Sequence, residues 1–127
     1  MKKYFVDTNI ILRYLLNDNK KLFIQAKKYF EQAKKKEIEL VIIPEVFFEI
    51  DYVLRGVYKT SKQEICRIIS KILLTPYLKL DQRNTLSDAV KIYAKTNIDL
   101  FDIYLFLTAR NQNAKVISFD RDFNKLN

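Results

Sequence analysis

Tyr4-Phe5-Val6-Asp7-Thr8-Asn9 sets three apolar residues before an acid, and follows the acid with two residues suited to starting a helix. A short continuous apolar run is how a buried strand reads, and this one ends at Asp7. Thr8 or Asn9 can accept backbone N–H bonds and cap a helix through Leu16. A similar phrase returns twice. Leu40-Val41-Ile42-Ile43 is a β-branched run followed by Pro44, a residue preset for the first turn of a helix. Val116-Ile117-Ser118-Phe119 is the last such run, and it too ends on an acid, Asp120. Strands alternating with helices predict an α/β fold with a mainly parallel sheet.

The stretches between these runs read as helices. From about Lys20 to Lys36, Phe23, Ala26, Phe30 and Ala33 share one face, while Lys20, Lys21, Lys27, Lys28, Lys34 and Lys35 cover the other. The helix opened by Pro44 carries Val46, Ile50, Val53 and Leu54 toward the core. Arg55-Gly56 is expected to end it, because glycine accepts a left-handed cap. Ser61 with Glu64 forms a capping box for a helix to about Leu74, and Thr75-Pro76 stops it. A weak strand is expected around Leu78-Lys79-Leu80, then a helix from about Leu86 to Lys95. Asp99 starts another that reaches about Asn113.

The 127 residues suit one domain, and no repeat or composition shift divides them. A single Gly excludes a glycine-rich phosphate loop. Lys and Arg outnumber Asp and Glu by 23 to 15, for a net charge of +8. Such a surplus favours polyanions, nucleic acid above all, although a Lys-rich solvated surface gives the same total. The lone Cys66 cannot form an internal disulfide, which fits a reducing compartment. No apolar run approaches the roughly 20 residues of a membrane helix. Asp7 and Arg13 interrupt the start too early for an export signal. A cytoplasmic protein is expected.

Four acids stand out. In a parallel α/β sheet, ligands collect beyond the carboxyl ends of the strands, and that is where Asp7 and Asp120 fall. Either alone has an ordinary explanation, since Asp is common in turns and caps. Asp102 lies on a helix that is apolar almost all round, with Leu100, Phe101, Ile103, Tyr104 and Leu107. An unpaired carboxylate buried there would cost several kcal/mol or take up a proton. Capping the helix dipole or an ion pair with Arg would account for it; a cation collecting several acids accounts for it better. Glu49 sits at the edge of its helix's apolar stripe, as a ligand or as a rim residue. Glu45, one turn earlier, is a second carboxylate on that side or a solvent-facing charge at the helix start.

Carboxylates without His or paired Cys select hard cations, Mg²⁺ or Mn²⁺ rather than zinc. The chain has no His, which excludes a Ser-His-Asp triad and a His general base. If the protein is an enzyme, water activated by a metal is the expected nucleophile.

These residues resemble a known family. Tyr4 to Asn9, Pro44-Glu45-Val46-Phe47-Phe48-Glu49-Ile50-Asp51-Tyr52-Val53-Leu54, Asp99-Leu100-Phe101-Asp102 and Val116 to Phe123 together are similar to PIN domains, most of all to VapC toxins of type II toxin–antitoxin modules. The resemblance covers nearly the whole chain. It implies a three-layer α/β/α fold with a sheet of four to five strands, as a single PIN domain over 1–127. It implies that Asp7, Glu49, Asp102 and Asp120 are the catalytic metal ligands, that Asn9 and Ser118 support the site, and that Asp99 and Asp122 are accessory acids. It further implies a Mg²⁺- or Mn²⁺-dependent endoribonuclease that acts on RNA, forms a homodimer and is held in check by a small VapB-like antitoxin. The sequence ends four residues after Phe123, short of the final edge strand that family members carry.

Three other readings compete: a PIN-like binding module without catalysis, a structure-specific DNA nuclease, and a receiver-like signalling domain. The last would place a Lys after a late strand, whereas Lys115 precedes Val116.

Overall fold

Parallel pairing of the first two strands organises the molecule. β1 (Lys2–Phe5) lies beside β2 (Ile38–Ile42), with Tyr4 opposite Leu40 and Phe5 opposite Val41. β3 (Lys79–Leu80) adds to the far side of β2, also parallel, so the order is β1-β2-β3. The computed structural model describes all residues, 1–127. Each crossover between strands is helical, as parallel strands require. α1 (Thr8–Leu16) and α2 (Lys20–Lys34) lead from β1 to β2, and α3 (Pro44–Gly56) and α4 (Lys62–Leu73) lead from β2 to β3. α5 (Arg83–Tyr93) and α6 (Leu100–Asn111) follow, and a 3₁₀ helix over Arg121–Lys125 closes the chain.

The core gathers where α3, α4, α5 and α6 meet the sheet. Phe47, Ile50, Ile65, Ile69, Leu86 and Ile103 are wholly buried within it. Local chemistry sets the helix ends. Asn19 and Ser61 accept from the backbone N–H of Leu22 and Glu64, each satisfying an orphan donor of a first turn. Asn17 ends α1 in the left-handed region at φ 50°. The Arg83 guanidinium donates to the carbonyls of Leu73, Thr75 and Leu78, which ties the end of α4 to the approach of β3. No helix is long and apolar enough to cross a membrane.

The α/β class and the parallel sheet agree with the sequence reading, but the sheet has three strands rather than four to five. Val116–Phe119 does not join the sheet, and Ile117 and Phe119 are fully exposed. A strand forms only where a partner rewards it, and local bonds compete here. The Ser118 hydroxyl accepts from the N–H of Asp120, and the Asp120 carboxylate accepts from that of Asp122, both at 2.9 Å. These turns steer the chain into the 3₁₀ helix instead of a ladder. The outer edge of β1 stays open, and its Lys2 and Lys3 are the kind of residue that keeps an edge from pairing with other chains. Gly56 also differs from expectation. It is the last residue of α3 at ordinary φ, and Val57 caps the helix in the right-handed region.

Two measurements check this architecture. Phe47→Ala should cost about 3–5 kcal/mol in chemical denaturation, the range for emptying a filled aromatic site. In amide exchange, Leu40 and Ile42 should be protected to near the global stability, while Ile117 to Phe119 exchange as open chain.

Candidate functional site

The N–H of Val6 donates to the carbonyl of Val41 at 2.9 Å, which carries the ladder one residue beyond β1. Asp7 therefore emerges at the carboxyl end of the sheet as the N-cap residue of α1, and its carboxylate makes no capping bond. β2 ends at the same edge because it runs parallel, and α3 departs from there at Pro44. Glu45 and Glu49 stand one turn apart on α3. Asp7, Thr8, Glu45 and Glu49 together line a cavity of about 380 Å³. Thr8 is buried, and its Oγ1 has no hydrogen-bond partner.

A second acidic group forms around the start of α6. Asp99 is the N-cap residue and makes no side-chain cap bond. Asp102 lies in the first turn, partly buried. Loss of solvent, then the charges of Asp99, Asp120 and Asp122, push its carboxyl above the ordinary carboxylate range. Asp120 caps the 3₁₀ helix, and Asp122 is paired with Lys125 at 3.2 Å. Ser118 is bonded to the backbone of Asp120 and lines a hollow with it. Asn9 faces another hollow, between α1 and α2, alongside Arg13 and Tyr29.

The acids thus stand in two groups, Asp7 with Glu49 and Asp102 with Asp120, and no three donors converge on one metal-sized point. Asp120 rides on an arm outside the sheet, and its charge reaches Asp102. Donor chemistry nevertheless fits a hard divalent cation. Every candidate ligand is a carboxylate, one group holds an orphan hydroxyl and the other a carboxyl raised by loss of solvent and then by its like-charged neighbours.

The sequence profile of the PIN domain matches residues 4–127. The chain belongs to the PIN-domain family. Among curated proteins it is similar to a VapC ribonuclease of Aquifex aeolicus (strain VF5), with 27% identity over 122 residues, 95% of this chain and 90% of the relative. No solved structure gives a significant match.

This PIN domain also contains a polar network that the sequence reading passed over. Asp51 is buried in α3, where its two carboxylate oxygens accept from the Tyr93 hydroxyl at 2.7 Å and from Arg55 at 3.2 Å. Burial and the bond to Asp51 hold the Tyr93 phenol well above its ordinary value, so it remains a donor. Burial tends to lower the Arg55 pKa, but Asp51, Tyr93 and more weakly Asp99 outweigh it and keep the guanidinium charged. The signal was present in the spacing: Phe47, Asp51 and Leu54 fall on one helical face, and all three are buried.

The raised Asp102 carboxyl fixes a pH dependence. A folded-state pKa above the unfolded value contributes stability that is complete below the unfolded value, about 3.9, and is lost as pH rises through the folded one. Asp102→Asn should therefore melt above the wild type near neutral pH without divalent ions, and scanning calorimetry should show the gap closing at about pH 3.

Proposed function

We propose that this PIN domain is a metal-dependent endoribonuclease, the toxin of a type II toxin–antitoxin module, and that Asp7, Glu49, Asp102 and Asp120 are the ligands of its Mg²⁺ or Mn²⁺. One observation carries the proposal. In a chain with eight more cations than anions, Asp7, Glu45, Glu49, Asp99, Asp102 and Asp120 make no ion pair at all. Asp7, Glu45 and Glu49 around one cavity at the carboxyl end of the sheet, and Asp102 beside Asp99 and Asp120, support a reading in which these acids serve a cation. The name of the Aquifex aeolicus relative supports RNA as the substrate.

Within this reading Asp7 and Glu49 would supply ligands from the sheet side, and Asp102 and Asp120 would supply ligands from α6 and the C-terminal arm. Asp99 and Asp122 shape the charge around Asp102, Ser118 fixes the backbone at Asp120, and Asn9 supports the start of α1. When bound, a divalent ion supplies Lewis acidity toward the phosphoryl group and lowers the pKa of water. The exposed lysines of α2 attract the RNA backbone, an interaction that weakens with salt. A second copy of the chain and a small VapB-like antitoxin complete the assembly, in the cytoplasm.

The test is cleavage of a mixed structured RNA by the wild type and by Asp7→Asn, with Mg²⁺ or Mn²⁺ and with EDTA. Asn keeps the shape of the side chain and removes its charge. Cleavage should fall to background with either the substitution or the chelator. Activity that survives Asp7→Asn would refute the ligand assignment, and a folded, antitoxin-free wild type that cuts DNA but no RNA would favour a DNA nuclease.

A further inference from the structure

Asp51 is the only charged residue of the chain that is buried. A carboxylate in that position loses its hydration, and an apolar side chain of similar volume would fill the same space without that cost. What the carboxylate adds is direction, because its bonds fix angles that apolar contacts leave free. Its partners are placed where direction matters. Asp51 follows Glu49 by two residues on α3. Tyr93, bonded to it at 2.7 Å, is the last residue of α5 and begins the 94–99 loop that delivers Asp99 and Asp102 to α6.

The same loop is held at its middle. Lys62 donates from Nζ to the carbonyl of Thr96 at 2.6 Å and lies 4.7 Å from the centroid of the Tyr93 ring. The Thr96 hydroxyl donates back to the carbonyl of Ile92 at 3.1 Å and accepts from the N–H of Ile98 at 3.4 Å. Arg55, bound to Asp51 at 3.2 Å, also feels the charge of Asp99. The Phe48 ring packs at 5.3 Å from Phe101 and 5.1 Å from Tyr104, a second tie between α3 and α6.

We propose that Asp51, acting through Tyr93 and Arg55, is a positioning residue that sets where Asp99 and Asp102 stand relative to Glu49. This rests on the metal-site reading above. Asp51 touches neither the proposed ion nor the substrate; it locks the helix of one acid group to the loop that launches the other. Removing the bond leaves every ligand in the chain but lets α3 and α6 shift against each other.

Mn²⁺ affinity of the full chain, read from the electron paramagnetic resonance of the free ion, tests this. Wild type, Asp51→Asn, Tyr93→Phe, Asp102→Asn and the core variant Ile69→Val should be compared at a temperature where circular dichroism shows each to be folded. Tyr93→Phe keeps the ring and its packing, so it carries the test if Asp51→Asn fails to fold. The expected result is about tenfold weaker binding for Tyr93→Phe and Asp51→Asn, in the range that removing an outer partner of a metal ligand costs. Ile69→Val lowers stability from a distance and should bind as the wild type does. Wild-type affinity in Tyr93→Phe, or an equal loss in Ile69→Val, would overturn the positioning role. A wild type that binds no Mn²⁺, or binds it equally well after Asp102→Asn, would overturn the metal site itself and this inference with it.

Discussion

The N–H of Val6 on the carbonyl of Val41 is the bond on which the arrangement of this molecule depends. It extends the β1–β2 ladder by one residue and sends Asp7 out at the same edge from which α3 leaves. Because the pairing is parallel, two acid-bearing segments far apart in sequence must arrive together. An antiparallel pair would have sent them to opposite ends. Asp7, Glu45 and Glu49 share a cavity as a consequence of topology rather than of any attraction between them.

Their like charge works against that arrangement, and the molecule offers little relief. No Lys or Arg forms an ion pair with Asp7, Glu45 or Glu49. Arg55, the cation that senses Asp99, is engaged by Asp51. Loss of solvent first, and then the charges of Asp99, Asp120 and Asp122, raise the Asp102 carboxyl. A site that retains uncompensated charge in this way is suited to a divalent ion and costs stability in its absence.

Much of this was legible in the sequence, for reasons that differ by element. β2 and α3 could be read because Leu40 to Ile43 is apolar without interruption and Pro44 marks a helix start. α4 could be read from Ser61 and Glu64, whose capping bond is present. α6 reads as apolar almost all round, but only Leu100, Ile103 and Leu107 are buried in the core while Phe101 and Leu105 stay exposed; Asp99 is its cap residue. Val116 to Phe119 has the composition of a strand but does not form one, because pairing depends on an edge and on competing turns that composition does not contain. The positions of Asp7 at the end of the first apolar run and of Asp102 in the first turn of α6 were likewise readable. The division of the acids into two groups was not, since it follows from where one arm of the chain lies. Asp51 shares the buried face of α3 by its spacing, but its partner Tyr93 lies 42 positions away, a distance that no local pattern spans.

The central claim is that the two acid groups serve one ion. The most direct measurement is paramagnetic broadening of backbone amides as substoichiometric Mn²⁺ is added to isotope-labelled protein. A shared site predicts that resonances of 7–8, 45–49, 99–102 and 120–122 broaden together at the same low Mn²⁺ fraction. Broadening confined to one group, with the other untouched until Mn²⁺ is in excess, would contradict it.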